Sequence, residues 1–168
     1  MVSKKYSPAI VCGFGAAVLT IVPGIRAAGC CLFVPLAASL SLFLYKKINK
    51  SSENISTNNA LLFGLFTGLS AALFATLFDL IITYITRSND FVESLPQVEI
   101  MLKNLKMGEA VIETLNIMKN MAADITNKGF SFFYSFILLI SNTLVYTVFG
   151  IIGSLLGMYF INKKNVRQ

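Results

Sequence analysis

Long apolar runs separated by short polar stretches dominate the chain. A first run goes from Ser7 to Val22 and stops at Pro23-Gly24; a second goes from Ala27 to Tyr45 and stops at Lys46-Lys47. At 1.5 Å per residue, helices of these lengths reach roughly 24 and 28 Å against a hydrocarbon core of about 30 Å. Two tightly joined spans fit that pattern, and so does a re-entrant hairpin whose Pro-Gly tip stays inside the bilayer. The lone Arg26 at the turn favours two spans, because an arginine held in lipid needs a partner whereas one at the head groups does not.

The stretch from Lys46 to Asn59 is polar, rich in Ser and Asn and free of aromatics, which predicts a loop. A third apolar run, from Ala60 to Ile85, is long enough to cross with some tilt, and Asp79 is its one charge. The last run, Phe130 to Ile161, would measure about 48 Å as a straight helix, more than ordinary tilt can fit into the bilayer. Its first turns are therefore expected to protrude, with Phe132, Phe133, Tyr134 and Phe136 at the interface and the span proper from Leu138 to Phe160.

Between these two runs the pattern changes. Apolar residues recur at Val98, Met101 and Leu105, then at Val111, Leu115, Met118, Ala122 and Ile125, by threes and fours. That spacing predicts an amphipathic helix, or two broken at Gly108, with Pro96 in a first helical turn. Its polar face mixes Lys103, Lys106 and Lys119 with Glu99, Glu109 and Glu113, and so lacks the strongly basic face of an anionic-lipid binder. A cap packed on the bundle or on a second copy is the expected role, ahead of a docking surface for another protein or a gating element. The predicted organisation is a transmembrane hairpin over 1–45, a loop over 46–59, a third span over 60–85, the amphipathic segment over 86–129, and a fourth span with a basic tail over 130–168.

Composition agrees with a bilayer. The 168 residues are 55% hydrophobic and only 13% charged, where a soluble domain is about 25% charged; the mean hydropathy is +0.71. A net charge of +6 would raise the question of nucleic acid in a soluble protein, but here the basic residues sit mainly at the ends of apolar runs. No nucleic-acid partner is expected; the lipid bilayer is.

Four spans put both termini on one side. Lys4, Lys5, Lys46, Lys47, Lys50, Lys163, Lys164 and Arg167 fall on that side, and Arg26, Arg87, Lys103, Lys106, Lys119 and Lys128 on the other, most of these in a long segment balanced by acids. The positive-inside rule makes both termini cytoplasmic. Tyr6, Tyr45 and Tyr159 then mark the inner interface, and Tyr84 and Tyr134 the outer one. The sequons at Asn49 and Asn54 would be cytoplasmic, and are read as chance. The expected fold is all-α: an integral membrane bundle of four transmembrane helices with an extracytoplasmic amphipathic helical segment, in the cell membrane.

Candidate chemistry is sparse. The chain has no His, which removes the commonest general base and metal ligand. Cys12, Cys30 and Cys31 lie in apolar surroundings and read as small buried hydrophobes rather than lipidation, redox or metal sites. Asp79 is the sharpest candidate, because an acid inside a span is costly unless paired, protonated or wet. It lies near the outer end of its span, where bonds to Thr76 and Thr83 or a pair with Arg26 would give it a structural role, and a water-filled route would give it an ionic one. Asn142, flanked by Ser141 and Thr143, forms a polar cluster in the fourth span suited to interhelical hydrogen bonding or to lining a cavity.

Small residues at helical spacing predict close helix packing: Gly13 and Ala17, Gly64 and Gly68 with Ala72 and Ala75, and Gly150, Gly153 and Gly157. Three such stripes are compatible with a homo-oligomer as well as a tight bundle. No GxxxxGK[ST], HExxH or GxSxG is present, nor a carboxylate pair on one membrane face, so no enzyme, cofactor or metal is expected.

Taken together, the PAIVCGFGAAVLTIVPGIRAAGCCLFVPLAASLSLFLYKK hairpin, the glycine-striped GLFTGLSAALFATLF, the amphipathic segment and the closing FGIIGSLLGMYFINKK resemble small four-span bacterial membrane proteins of uncharacterised function. The resemblance is one of layout over nearly the whole chain, and it implies an all-helical inner-membrane protein with no catalytic residues to carry over. The expected function is a scaffold or accessory subunit of a homo-oligomer or larger membrane complex. The alternative is a small oligomeric transporter or channel using Asp79 and the Asn142 cluster.

Overall fold

The computed structural model describes residues 2–22, 26–49, 54–104 and 109–165, with side chains at all of these except 2–4, 26–28, 30, 103, 104, 109–111, 164 and 165. The described residues form six α-helices: α1 Val2–Ile21, α2 Arg26–Ile48, α3 Thr57–Thr86, α4 Asp90–Asn104, α5 Glu109–Lys128 and α6 Phe132–Asn165. No strand occurs among them. They divide into two compact units, one of 1–77 with 139–168 and one of 78–138.

Three helices are long and apolar enough to cross a membrane, in the stretches Cys31–Ile48, Thr57–Thr86 and Phe132–Lys163. By length and composition three helices among the described residues meet that requirement, not the four expected. The apolar part of α1, Lys5–Ile21, falls short of the other three because Lys4 and Lys5 bound it on one side and Pro23-Gly24 on the other. The predicted loop also shrinks. α2 continues through Lys46 and Lys47, whose charges suit the negative end of its dipole. α3 starts at Thr57, where the Ser56 hydroxyl accepts from the Asn59 amide at 3.4 Å as an N-cap.

In the first unit many of the residues that face inward are small or hydroxyl-bearing: Ala9, Ala17, Ala38, Ala71 and Ala72 are buried, as are Ser41, Thr67, Ser70 and Ser154, beside the larger Val34, Leu42 and Phe63. The large apolar side chains Val11, Leu36, Phe43, Leu73, Leu144, Val148 and Leu156 point outward. Water would disfavour such an exterior, whereas lipid solvates it, and small interior residues then let helix backbones approach for dispersion contact.

The contacts also set helix direction. Tyr6 stacks near Phe63 and Phe66, and Ser70 donates to the Ala9 carbonyl, so α1 runs alongside α3 in the same sense. Tyr45 packs on Phe63 and Thr67 donates to Ser41, so α2 runs against α3. The start of α1, the end of α2, the start of α3 and the end of α6 thus share one end of this bundle. That end holds the cluster of Ala9, Leu42, Ile55, Ala60 and Phe63.

The second unit is built around the α4–α5 hairpin and the adjoining ends of α3 and α6. α3 ends at Thr86, with Arg87 in the left-handed region (φ 53°) and its amide bonded to the Thr83 carbonyl. Asn89 then caps α4, its carboxamide oxygen accepting from the Val92 amide at 3.0 Å while its nitrogen donates to the Thr83 hydroxyl. This cap starts α4 at Asp90, so Pro96 lies inside the helix and not in its first turn, correcting the expectation. Pro96 has no N–H to give the Val92 carbonyl. Of the two readings, a pair of helices is the one observed, and the Gly108 break lies outside the described residues.

Leu115, Met121, Ala122 and Ile125 are buried as the inner face of α5. α5 ends at Gly129, whose φ of +75° closes the helix. A methyl group there would come within 2.8 Å of the Tyr84 carbonyl.

Candidate functional site

Of the polar residues singled out from the sequence, Asn142 and Asp79 have described side chains. Asn142 donates through Nδ2 to the Thr76 hydroxyl at 2.9 Å, which ties α6 to α3 inside the bundle. Asp79 is half-buried three residues further along α3, on the same helical face as Thr76. One turn further on, the Thr83 hydroxyl accepts from Asn89 Nδ2 at 3.3 Å. Arg26 begins α2, but its side chain lies outside the described residues, as do those of Cys30, Lys103 and Val111, and all of Leu105. Cys12 is buried as expected; Cys31 is on the exposed face of α2, which corrects its reading as a buried hydrophobe.

The glycine stripes are occupied within the chain. Methyl groups placed on Gly64 would come within 2.7 Å of the Gly150 carbonyl, and on Gly68 within 2.5 Å of the Tyr146 carbonyl, so α3 and α6 touch backbone to backbone. Gly150 faces Gly64 and Gly68 in return. Gly153 and Gly157, about one turn apart on the same helix, face Pro35 and Ser39 of α2, and Ser39 donates to the Gly153 carbonyl at 2.7 Å. Gly13 abuts Thr67 and Ala71 of α3, and Ala17 is fully buried. A stripe filled by its own neighbours is not a surface for a second copy, so these glycines account for the bundle rather than for oligomerisation.

Two features at the shared end of the bundle were not anticipated. Asn162 acts as a clasp: its nitrogen donates to the Ile55 carbonyl at 3.0 Å, and its oxygen accepts from the Ile55 amide at 2.9 Å. Its position in the sequence, between Ile161 and Lys163 at the end of an apolar run, marks it only as a chain end. The Lys5 ammonium donates to Asn59 Oδ1 at 3.1 Å and sits 5.5 and 5.8 Å from the ring centroids of Tyr6 and Tyr45. The two tyrosines had been placed at one interface by sequence, but not their convergence on a lysine.

The α4–α5 hairpin shows the third feature. Glu99 and Lys119 form an ion pair at 2.7 Å across it. Away from the buried residues of α5, large apolar side chains stand exposed: Ile100 at 63%, Met101 at 66% and Ile112 at 62% of their full surface. Met101 was expected on the packed face. In α5 the expected Leu115, Ala122 and Ile125 are buried and Met118 is half-buried, but α4 turns Met101 outward, and Val98 is half-buried. Phe132, Phe133 and Phe136 are exposed as expected, while Tyr134 packs on Phe91 with centroids 5.4 Å apart.

Among the described residues no three His, Cys, Asp or Glu side chains gather closely enough to hold a metal ion. Comparison with protein-family models, with curated proteins and with solved structures finds no match to this chain.

Proposed function

We propose that the chain is a non-catalytic integral membrane protein that serves as a scaffold or accessory subunit, with the α4–α5 hairpin as its docking surface. The observation that carries this reading is the exposed apolar set Ile100, Met101 and Ile112 on a segment that lies outside the three apolar helices. On a lipid-facing helix such residues need no explanation; on a mixed-charge hairpin they mark a surface that a partner covers. Asn142 supports the same structural reading, since its bond to Thr76 is what helix pinning requires.

In this proposal α1 crosses as a short fourth helix. Its apolar stretch Lys5–Ile21 spans about 26 Å, at the lower end of what a bilayer accepts, and it runs beside α3 in the same sense. Both termini are then on the cytoplasmic side. Charge distribution supports that orientation: eight basic residues and one acidic, Glu53, fall on the side of the termini, against six basic and seven acidic on the other.

The test is to extract the chain from its native membrane in mild detergent and measure the mass and composition of the particle, alongside Ile112→Glu. Co-purification of a stoichiometric partner, or of further copies, that is lost with Ile112→Glu supports the reading. A single-chain particle, or an assembly indifferent to Ile112→Glu, sinks it.

A further inference from the structure

At the end of the bundle where α1 begins and α2 ends, the two helices leave a groove of about 760 Å³. Its floor and walls are apolar: Pro8 and Val11 on α1 follow Lys5 at intervals of three, and Leu44 and Ile48 face them from α2. Its mouth is polar, with Lys5, Ser7 and Asn49. The groove therefore changes along its length from a cationic opening to a hydrocarbon-like interior, within about 9 Å of rise from Lys5 to Val11.

We infer that this groove binds one anionic phospholipid, with the phosphate at Lys5 and an acyl chain along Val11, Leu44 and Ile48. This inference rests on the proposed embedding of the bundle in a bilayer, but not on the α4–α5 hairpin being a docking surface.

Three observations choose the occupant. First, Lys5 is held in place: its ammonium gives one of its three protons to Asn59 and lies over two tyrosine rings, so little side-chain freedom is lost when an anion arrives. Second, no acidic residue is among the described residues that line the groove, and Glu53 is the one acid in the whole 1–77 and 139–168 portion of the sequence. A choline or ethanolamine ammonium brought to Lys5 would meet repulsion without a carboxylate to offset it, whereas a net anionic head group meets complementary charge. Third, the apolar walls need an apolar occupant. A free phosphate would leave Val11 and Ile48 facing an empty groove, while an acyl chain covers them. The basic end of a bundle in the cytoplasmic leaflet is also where anionic lipid is concentrated.

The experiment places the full chain in nanodiscs of equal phosphatidylglycerol and phosphatidylcholine, then measures by native mass spectrometry which lipid stays on the released protein. The wild type is expected to retain phosphatidylglycerol about fivefold over phosphatidylcholine, the preference one lysine at an anionic surface supplies. Lys5→Gln should equalise the two lipids. Val11→Trp, a change at a residue 62% exposed and so tolerated by the bundle, should fill the groove and reduce retention of both.

Equal retention in the wild type, a preference that survives Lys5→Gln, or full retention in Val11→Trp would each overturn the inference. Displacement of the lipid by millimolar inorganic phosphate would also overturn it, since a phosphate site and not a lipid groove would then be present. A chain that does not enter nanodiscs at all refutes the bilayer reading itself, an outcome distinct from entry without lipid preference.

Discussion

Replacing Gly68 with alanine tests the backbone contact on which the bundle depends. The added methyl would lie 2.5 Å from the Tyr146 carbonyl oxygen, 2.7 Å from Thr147 Cα and 3.0 Å from its nitrogen. All three are main-chain atoms of α6, so no side-chain rotation relieves the clash. Restoring ordinary contact near 3.5 Å requires α6 to retreat by about 1 Å from α3. Overpacking of this kind costs about 1–3 kcal/mol, and the retreat also pulls on the Asn142–Thr76 bond, a class of contact worth about 0.6 kcal/mol in membranes.

Gly15→Ala is the matched control. It lies in α1 with nothing within 4 Å of the position its methyl would take. There the same substitution gains up to about 1 kcal/mol of helix propensity and meets no obstacle. Gly68 is helical too, so that gain is common to both, and the two variants should differ by about 1–3 kcal/mol, with Gly68→Ala the less stable. SDS titration in mixed micelles, followed by near-ultraviolet circular dichroism of the six tyrosines, reads the difference in the chain without tryptophan. A gap below about 1 kcal/mol would refute the claim that α3 and α6 meet at Gly68.

Two further outcomes follow from single contacts. In a double-mutant cycle, Asn142→Ala and Thr76→Val should each destabilise the bundle modestly and couple by about 0.6–1 kcal/mol; purely additive losses would remove Asn142 from its role as a helix tie. Asn89→Ala should cost the α4 cap about 1 kcal/mol. Hydrogen exchange should quicken roughly fivefold at the first amides of α4 while those of α5 stay protected, and uniform exchange would show that Asn89 is not the cap.

Much of this architecture was legible in the pattern of apolar residues, because a helix period and a polar interruption are local signals. The two-helix character of the amphipathic segment is one of the readings obtained that way. The glycine stripes identified faces that must pack closely. They could not say which neighbour each face meets, since a stripe records a helix's own geometry and not its partner's. Gly150 turns to α3 while Gly153, nearly one turn on, turns to α2; only the arrangement of three helices separates them.

Pro96 misled because its preference for a first turn is weaker than a competing cap at Asn89, seven residues earlier. Asn162 was invisible for a different reason: its partner is a backbone peptide 107 residues away, and a backbone carries no residue-specific mark. The three polar candidates Asp79, Arg26 and Asn142 were rightly seen as costly in lipid. Of the three, the neighbour of Asn142 is Thr76, and cost alone does not name it.

The position of α6 between α2 and α3 bears on the order in which the chain can be built. Synthesis delivers α1, α2 and α3 before α6, so the backbone surface at Gly64 and Gly68, and that at Pro35 and Ser39, both wait for a helix not yet made. When α6 arrives it must seat two glycine faces at once and close the Asn162 clasp onto a segment laid down more than a hundred residues before. Packing of the last helix thereby joins several separate contacts in one step, and a chain that lacks it leaves the backbone surfaces at Gly64, Gly68, Pro35 and Ser39 uncovered.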